Sequence, residues 1–326
     1  MRSYRLLAMS LLVCLTATVA LAQDTYDLRY KFTPNQTDLY QITTSGTIPM
    51  DLTPGPEAGF PAMSMNMALN MTMLMSQLCT GVDNAGVGEL ETKYPGMTVH
   101  TTIQVPDQPI DMLMTWEKGV LTSAIGGQVQ PADDNQKKMA AMLGAAMKMK
   151  MSPTGKTTPD AETQKLIAAM MNASGGMTID SSRLNALTSG LPDHPVKIGD
   201  TWSLADTGQM GEAVITGSSN LKLTAIEVFE GVKTARIEGE ARLSINGSTP
   251  QTSQMGMPVQ TNITRLDLAM TFVNHFDLDR GNMVVSAMNL NQNMAMMISM
   301  GEGGAQQIHI PATIENAQMT VEVRRK

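Results

Sequence analysis

The run MSMNMALNMTMLM at Met63–Met75 decides the fold. Its odd positions, Met63, Met65, Met67, Leu69, Met71, Met73 and Met75, are all apolar, whereas the even ones read Ser64, Asn66, Ala68, Asn70, Thr72 and Leu74. A period of two marks a strand with one apolar face. The same alternation runs through Tyr40, Ile42, Thr44, Gly46, Ile48, Met50 and Leu52, and again through Met288, Leu290, Gln292, Met294, Met296, Ile298 and Met300. These runs far exceed the usual strand of about 5–6 residues. Between them lie compact turn signals: Asp83-Asn84-Ala85-Gly86, Glu117-Lys118-Gly119, Phe229-Glu230-Gly231 and Asp277 to Asn282. Glycine in such turns supplies the positive φ that other residues resist. Long strands joined this way form an antiparallel meander, and a wide twisted sheet of them curls. The expected fold is α+β, mainly β: a large curved antiparallel sheet, half-barrel-like, with a helical insert packed on one face.

That insert is expected at about residues 133–190, where the period changes. Met139, Met142, Leu143, Ala146 and Met147 recur at helical spacing, with Asp133 and Asp134 at the favourable N-terminal end, Lys148 and Lys150 at the C-terminal end, and Ser152-Pro153 as the stop. A second helix is expected from a Thr158 cap and Pro159, burying Leu166, Ile167, Met170 and Met171. A third, from about Ser181 to Ser189, follows Asp180 as cap. Such amphipathic helices need an apolar partner, and the concave side of the sheet supplies one.

Composition narrows the classes. With 42% apolar and 16% charged residues the chain is in the globular range. Residues 1–22 read as a secretory signal: Arg2 and Arg5 precede an apolar stretch from Leu6 to Val19, and Ala20-Leu21-Ala22 offers a small-x-small cleavage site near Ala22. A secreted or periplasmic protein is therefore expected, with residues 23–326 as one mainly-β domain. Cys14 falls inside the signal behind bulky Val13, which disfavours lipid attachment, and Cys79 then has no disulfide partner. No later segment reaches the roughly 20 apolar residues of a membrane helix. Sparse aromatics argue against the interfacial girdles of an outer-membrane barrel. At net charge −7, with no Lys/Arg stripe, the chain lacks the footprint a phosphate backbone requires, so nucleic acid is not expected as a ligand.

Catalytic templates are missing. There is no Gly-x-Ser-x-Gly, no His-Glu-x-x-His and no Cys/His zinc cluster, and His100, His194, His275 and His309 are scattered. Gly155-Lys156-Thr157 mimics the end of a phosphate loop, but Lys150 stands where the earlier glycine belongs. Asp277-x-Asp279-x-Gly281 hints at calcium without the distal bidentate Glu of that loop, and reads better as a hairpin turn. A non-enzymatic binding protein is the expectation.

The compositional signal is 31 methionines against 12 aromatic residues. Methionine is unbranched and polarizable, and repacks around ligands of varied shape. The first expectation is thus an apolar small molecule or lipid-like ligand between sheet and helices, lined by Met63, Met67, Met71, Met294 and Met296 opposite Met142 and Met170, with no cofactor. The alternative is Cu(I) or Ag(I) held by Met73, Met75 and Cys79, since thioethers and thiolates are soft ligands. A third reading is an envelope scaffold. Lys148, Met149, Lys150 and Met151, at a basic helix end, are the expected contact with a membrane surface or protein partner.

Two segments carry a resemblance: Leu28-Arg29-Tyr30-Lys31-Phe32-Thr33-Pro34-Asn35-Gln36 and Leu191-Pro192-Asp193-His194-Pro195-Val196-Lys197-Ile198-Gly199-Asp200-Thr201-Trp202. Together they resemble an uncharacterised family of secreted bacterial proteins, a domain of unknown function with a Pro-Val-Lys-x-Gly-Asp-x-Trp box. That resemblance implies no activity. The box itself reads as structure, with Val196 and Ile198 on one face of a strand, a turn at Gly199-Asp200 and Trp202 as an anchor. In architecture, long meandering strands around helices also look like the periplasmic lipoprotein-localisation carriers, whose half-barrel holds acyl chains.

Overall fold

The computed structural model describes residues 24–55, 61–105, 109–132, 134–166, 190–210, 213–253, 259–300 and 308–326. The expected signal at 1–22, the third helix and Met170 lie outside them. Among the described residues the chain is mainly β: one open antiparallel sheet of 14 strands with two short helices. The first half supplies β1 (Thr37–Leu52), β2 (Met63–Val82), β3 (Gly88–Gln104), β4 (Ile110–Glu117), β5 (Val120–Ile125) and β6 (Gln128–Gln130). Helix α1 (Asp134–Gly144), the short pair β7 (Met147–Met151) and β8 (Thr157–Pro159), and helix α2 (161–166) follow. The second half supplies β9 (Thr201–Met210), β10 (Ala213–Phe229), β11 (Val232–Ser253), β12 (Val259–Asp277), β13 (Asn282–Met300) and β14 (Ile308–Arg325).

Each half is a meander of neighbours in sequence, and the halves join where β1 pairs with β14. Tight turns make the hairpins. Lys118-Gly119 and Glu230-Gly231 each have positive φ at both positions, the type I′ geometry whose twist matches the strands it joins. At the β12–β13 turn, Asp277 Oδ1 accepts from the amides of Asp279 and Arg280. Mid-strand, Gly239 lies opposite Phe272, and a Cβ there would stand 2.3 Å from the ring, so the aromatic packs where no other residue fits.

Register carries one apolar face across the whole sheet. The row Met73, Met97, Trp116 and Leu121 runs outward through β2–β5, while Met71, Thr44, Val321, Met288 and Phe272 run through β2, β1, β14, β13 and β12. Over β9–β14 this face is sealed: Leu221, Leu243, Met270, Met294 and Ile314 belong to the main core. Over β3–β5 it carries α1, whose Leu143, Met139 and Ala140 pack with Trp116 and Leu121. The opposite face is polar, and it is there that the two sheet-surface cavities open.

Two expectations in the insert are corrected. Helix α1 ends at Gly144, and Met147–Met151 is a strand paired with β3 on one side and β8 on the other. The reason is in the sequence: MKMKM alternates strictly, and Lys148 and Lys150 face Glu91 and Glu89 across the ladder, with Lys150 Nζ 3.1 Å from Glu89. Likewise Thr158 and Pro159 belong to β8, and Asp160 caps the next helix, accepting the Thr163 amide at 2.7 Å. That bond holds the Asp160 carboxyl below its ordinary pKa.

The resemblance segments meet each other. Tyr26 bridges Val196, and Arg29 donates to the carbonyls of Pro192 and Asp193. Leu28 and Val196 are fully buried, and Trp202 Nε1 donates to Gly190 at 3.2 Å. Ile198 departs from the expectation, lying 40% exposed just before the Gly199 turn.

A clasp ties the end of β14 that pairs with β1 to the β12–β13 turn. Arg325 on β14 lies opposite Tyr40 on β1 and donates to Asp277, 3.1 Å away and 2% exposed, and to Asn282. Neighbouring Arg324 pairs with Glu322 and Glu230 nearer the surface. Breaking a buried pair leaves an uncompensated charge, whereas a surface pair is worth little. Chemical denaturation should therefore show Arg325→Leu costing about 3 kcal/mol, against less than about 1 kcal/mol for Arg324→Leu.

Candidate functional site

Strand β2 forms because its alternating methionines match the pleat, and its register fixes their neighbours. Met67 sits between Ile48 on β1 and Ile103 on β3, Met71 between Thr44 and Val99, and Met73 between Ile42 and Met97. Adjacent strands are about 4.8 Å apart, so these side chains touch across the ladder. Met63, Met65, Met67, Met71, Met73 and Met75 are all half-buried, while the even positions Ser64, Asn66, Asn70 and Thr72 are exposed on the other face.

Neither buried cluster takes in this stripe. The main core reaches β1 through Ile48, Met50 and Leu52 and, past the Cys79 end of β2, takes in Phe32 and Met151, but it includes none of the β2 methionines. The smaller cluster under α1 reaches β3 and β4 through Met97 and Met114. Between the two, among the described residues, β2 leaves an apolar seam whose methionines pack into neither side.

The expected lining residues therefore divide. Met63, Met67 and Met71 lie on the seam, whereas Met294 and Met296 are sealed in the main core, 5% and 6% exposed. Register nonetheless puts them on one face, since Met63 leads through Leu52 and Ala312 to Met296. Met142 is half-buried on α1, which stands over β3–β5. Seam neighbours that the sequence reading passed over are Ile42, Met97, Val99 and Ile103. Their signal was available, because Met97, Val99 and Ile103 also alternate.

The expected metal set is not a cluster. Cys79 shares the face of Met73 and Met75, but it lies four residues beyond Met75, about 13 Å along an extended strand. Its thiol is buried and donates to the Gly81 carbonyl at 3.4 Å. Burial pushes its pKa up, which disfavours the thiolate a soft metal takes. Among the described residues no three His, Cys, Asp or Glu side chains gather as a metal site. The expected contact residues serve the sheet: Lys148 and Lys150 face the β3 carboxylates, Met149 is half-buried on β7, and Met151 packs against the main core. Among the described residues no helix is long and apolar enough to cross a membrane.

A thiol both buried and held protonated reacts slowly. Alkylation of native protein by iodoacetamide at pH 8, followed by mass spectrometry, should modify Cys79 at least tenfold more slowly than in denaturant; equal rates would show the thiol to be accessible.

No curated protein matches the sequence. Residues 157–281, from β8 to the β12–β13 turn, match the model of a family of unknown function, DUF6263. This stretch contains the segment Leu191–Trp202, and neither Leu28–Gln36 nor the β2 seam lies within it; it is here that the chain carries a domain of unknown function.

Proposed function

We propose that the protein is an exported, non-enzymatic binding protein that holds an apolar, lipid-like ligand along the β2 seam. The supporting observation is that six half-buried methionines share one strand face and join neither core. An acyl chain lying along that strand is flanked by Ile42 and Ile48 on one side and by Met97, Val99 and Ile103 on the other. Covering the exposed part of a half-buried methionine is worth about 1 kcal/mol at roughly 25 cal/mol per Å². Six of them supply several times that, enough to offset part of the ordering cost of binding. Flexible thioether side chains suit a ligand of variable shape better than a rigid branched lining does.

Titration with a fluorescent long-chain fatty acid tests this. Saturable binding is expected, weakened at least tenfold by Met67→Glu and unchanged by Asn66→Glu, the adjacent residue on the opposite face. Absence of saturable binding, or equal loss in both variants, would overturn the reading.

A further inference from the structure

The polar face of the sheet is creased. Pairing slips between Thr47 and Met50 on β1, Gln292 and Met294 on β13, Ile263 and Arg265 on β12, and Asn246 and Thr249 on β11. On β14, Asn316 has φ 56° and its amide donates to Asn293 Oδ1 at 2.7 Å. These irregularities sit at one level, so a line of bulges crosses five adjacent strands. Bulges bend and twist the strands that hold them. Beside that line lies a cavity of about 810 Å³, and next to it one of about 360 Å³ that shares Ser45 and Thr320 with the first. The two make one trough across β3, β2, β1, β14, β13, β12 and β11, about 29 Å wide at the usual strand spacing.

The side chains that stand on the trough's face are mostly hydroxyls and amides, interrupted by Pro49 and Ala269. In the larger cavity Thr47, Thr320, Gln318, Asn289, Asn291 and Thr271 present hydroxyls and amides. In the smaller one Asn70, Thr72 and Thr98 continue the rows. Of the larger set, only Thr320 and Asn289 bond to each other among the described side chains, at 3.3 Å, so most donors and acceptors face outward. Charge is sparse and of mixed sign: Glu240 and Arg242 at the β11 end, and Glu322, already bonded to Arg324, in the smaller cavity. Such a surface offers a polyanion no cationic track. Its apolar side chains on this face, Pro49 and Ala269, are isolated among the hydroxyls and amides and form no continuous stripe like that of β2. It matches a neutral chain of hydroxyl and amide groups, and the strand spacing of about 4.8 Å is comparable to the length of one sugar unit.

We infer that this trough binds a neutral glycan lying across the strands, on the face opposite the methionine seam. With no aromatic platform in the lining, recognition rests on hydrogen bonds that accumulate along the chain. Calorimetric titration of the full chain with neutral hexasaccharides of glucose and of N-acetylglucosamine tests it. Saturable binding of at least one is expected. It should weaken at least tenfold in the near-isosteric double variant Thr47→Val, Thr320→Val, and be lost in Gln318→Glu, Asn289→Asp, whose exposed positions tolerate charge. Met67→Ser, on the other face, should leave it unchanged. The inference fails if neither sugar binds, if binding survives both double variants, or if a sulfated oligosaccharide binds more tightly than the neutral ones.

Discussion

Tyr40 on the first long strand lies opposite Arg325 on the last, and the continuity of the sheet follows from that register. Without the β1–β14 pairing, the chain would hold two separate meanders, each with a raw edge. The pairing joins residues nearly the whole chain apart, at an entropic cost on the order of 5 kcal/mol for the length-dependent part of loop closure. Sixteen- and eighteen-residue strands, zipped along most of their length, outweigh that cost. The Arg325–Asp277–Asn282 clasp then ties the join to the β12–β13 turn. A strand laid one residue out of register would swap every apolar side chain to the polar face. The alternation in β1, β2, β13 and β14 therefore specifies the pairing, while the clasp holds β14 to the β12–β13 turn.

The joined sheet presents two unlike surfaces. On the apolar face the main core and the cluster under α1 seal both flanks and leave β2 between them. On the polar face a trough opens across the strands, close to the register slips of β1 and β14. One strand face therefore offers contact area and the other offers hydrogen bonds. Because the two are set by opposite parities of the same residues, a substitution at one position addresses one surface and spares the other.

Much of this was legible in the sequence, and the limits are physical. The β2 run and the turns at Lys118-Gly119 and Glu230-Gly231 announce themselves, because period and positive φ are local properties. The cluster under α1 was half legible: Met139 and Leu143 lie on a true helical stripe. That stripe was read four residues too far, because Ala146 and Met147 extend it by chance while MKMKM obeys period two. The tertiary context decided the matter, as Glu89 and Glu91 wait on β3 for the two lysines. Asp160 was passed over as cap in favour of Thr158 because Pro159 suits a first helical turn, although it suits the end of a short edge strand equally. The β1–β14 pairing was not legible, since its partners lie nearly the whole chain apart, and neither were the bulges, since they depend on how each strand registers against its neighbour rather than on its own period.

Ligand binding along β2 requires its methionines to be an open apolar seam and not part of a sealed core. Oxidative footprinting measures this directly: brief exposure of the native protein to hydrogen peroxide converts accessible thioethers to sulfoxides, and peptide mapping reads the rate at each position. Met63, Met65, Met67, Met71, Met73 and Met75 should oxidise well ahead of Met270, Met294 and Met296, which are 2–6% exposed. Protection of the β2 methionines equal to that of Met270, Met294 and Met296 would show the seam to be closed and contradict the account.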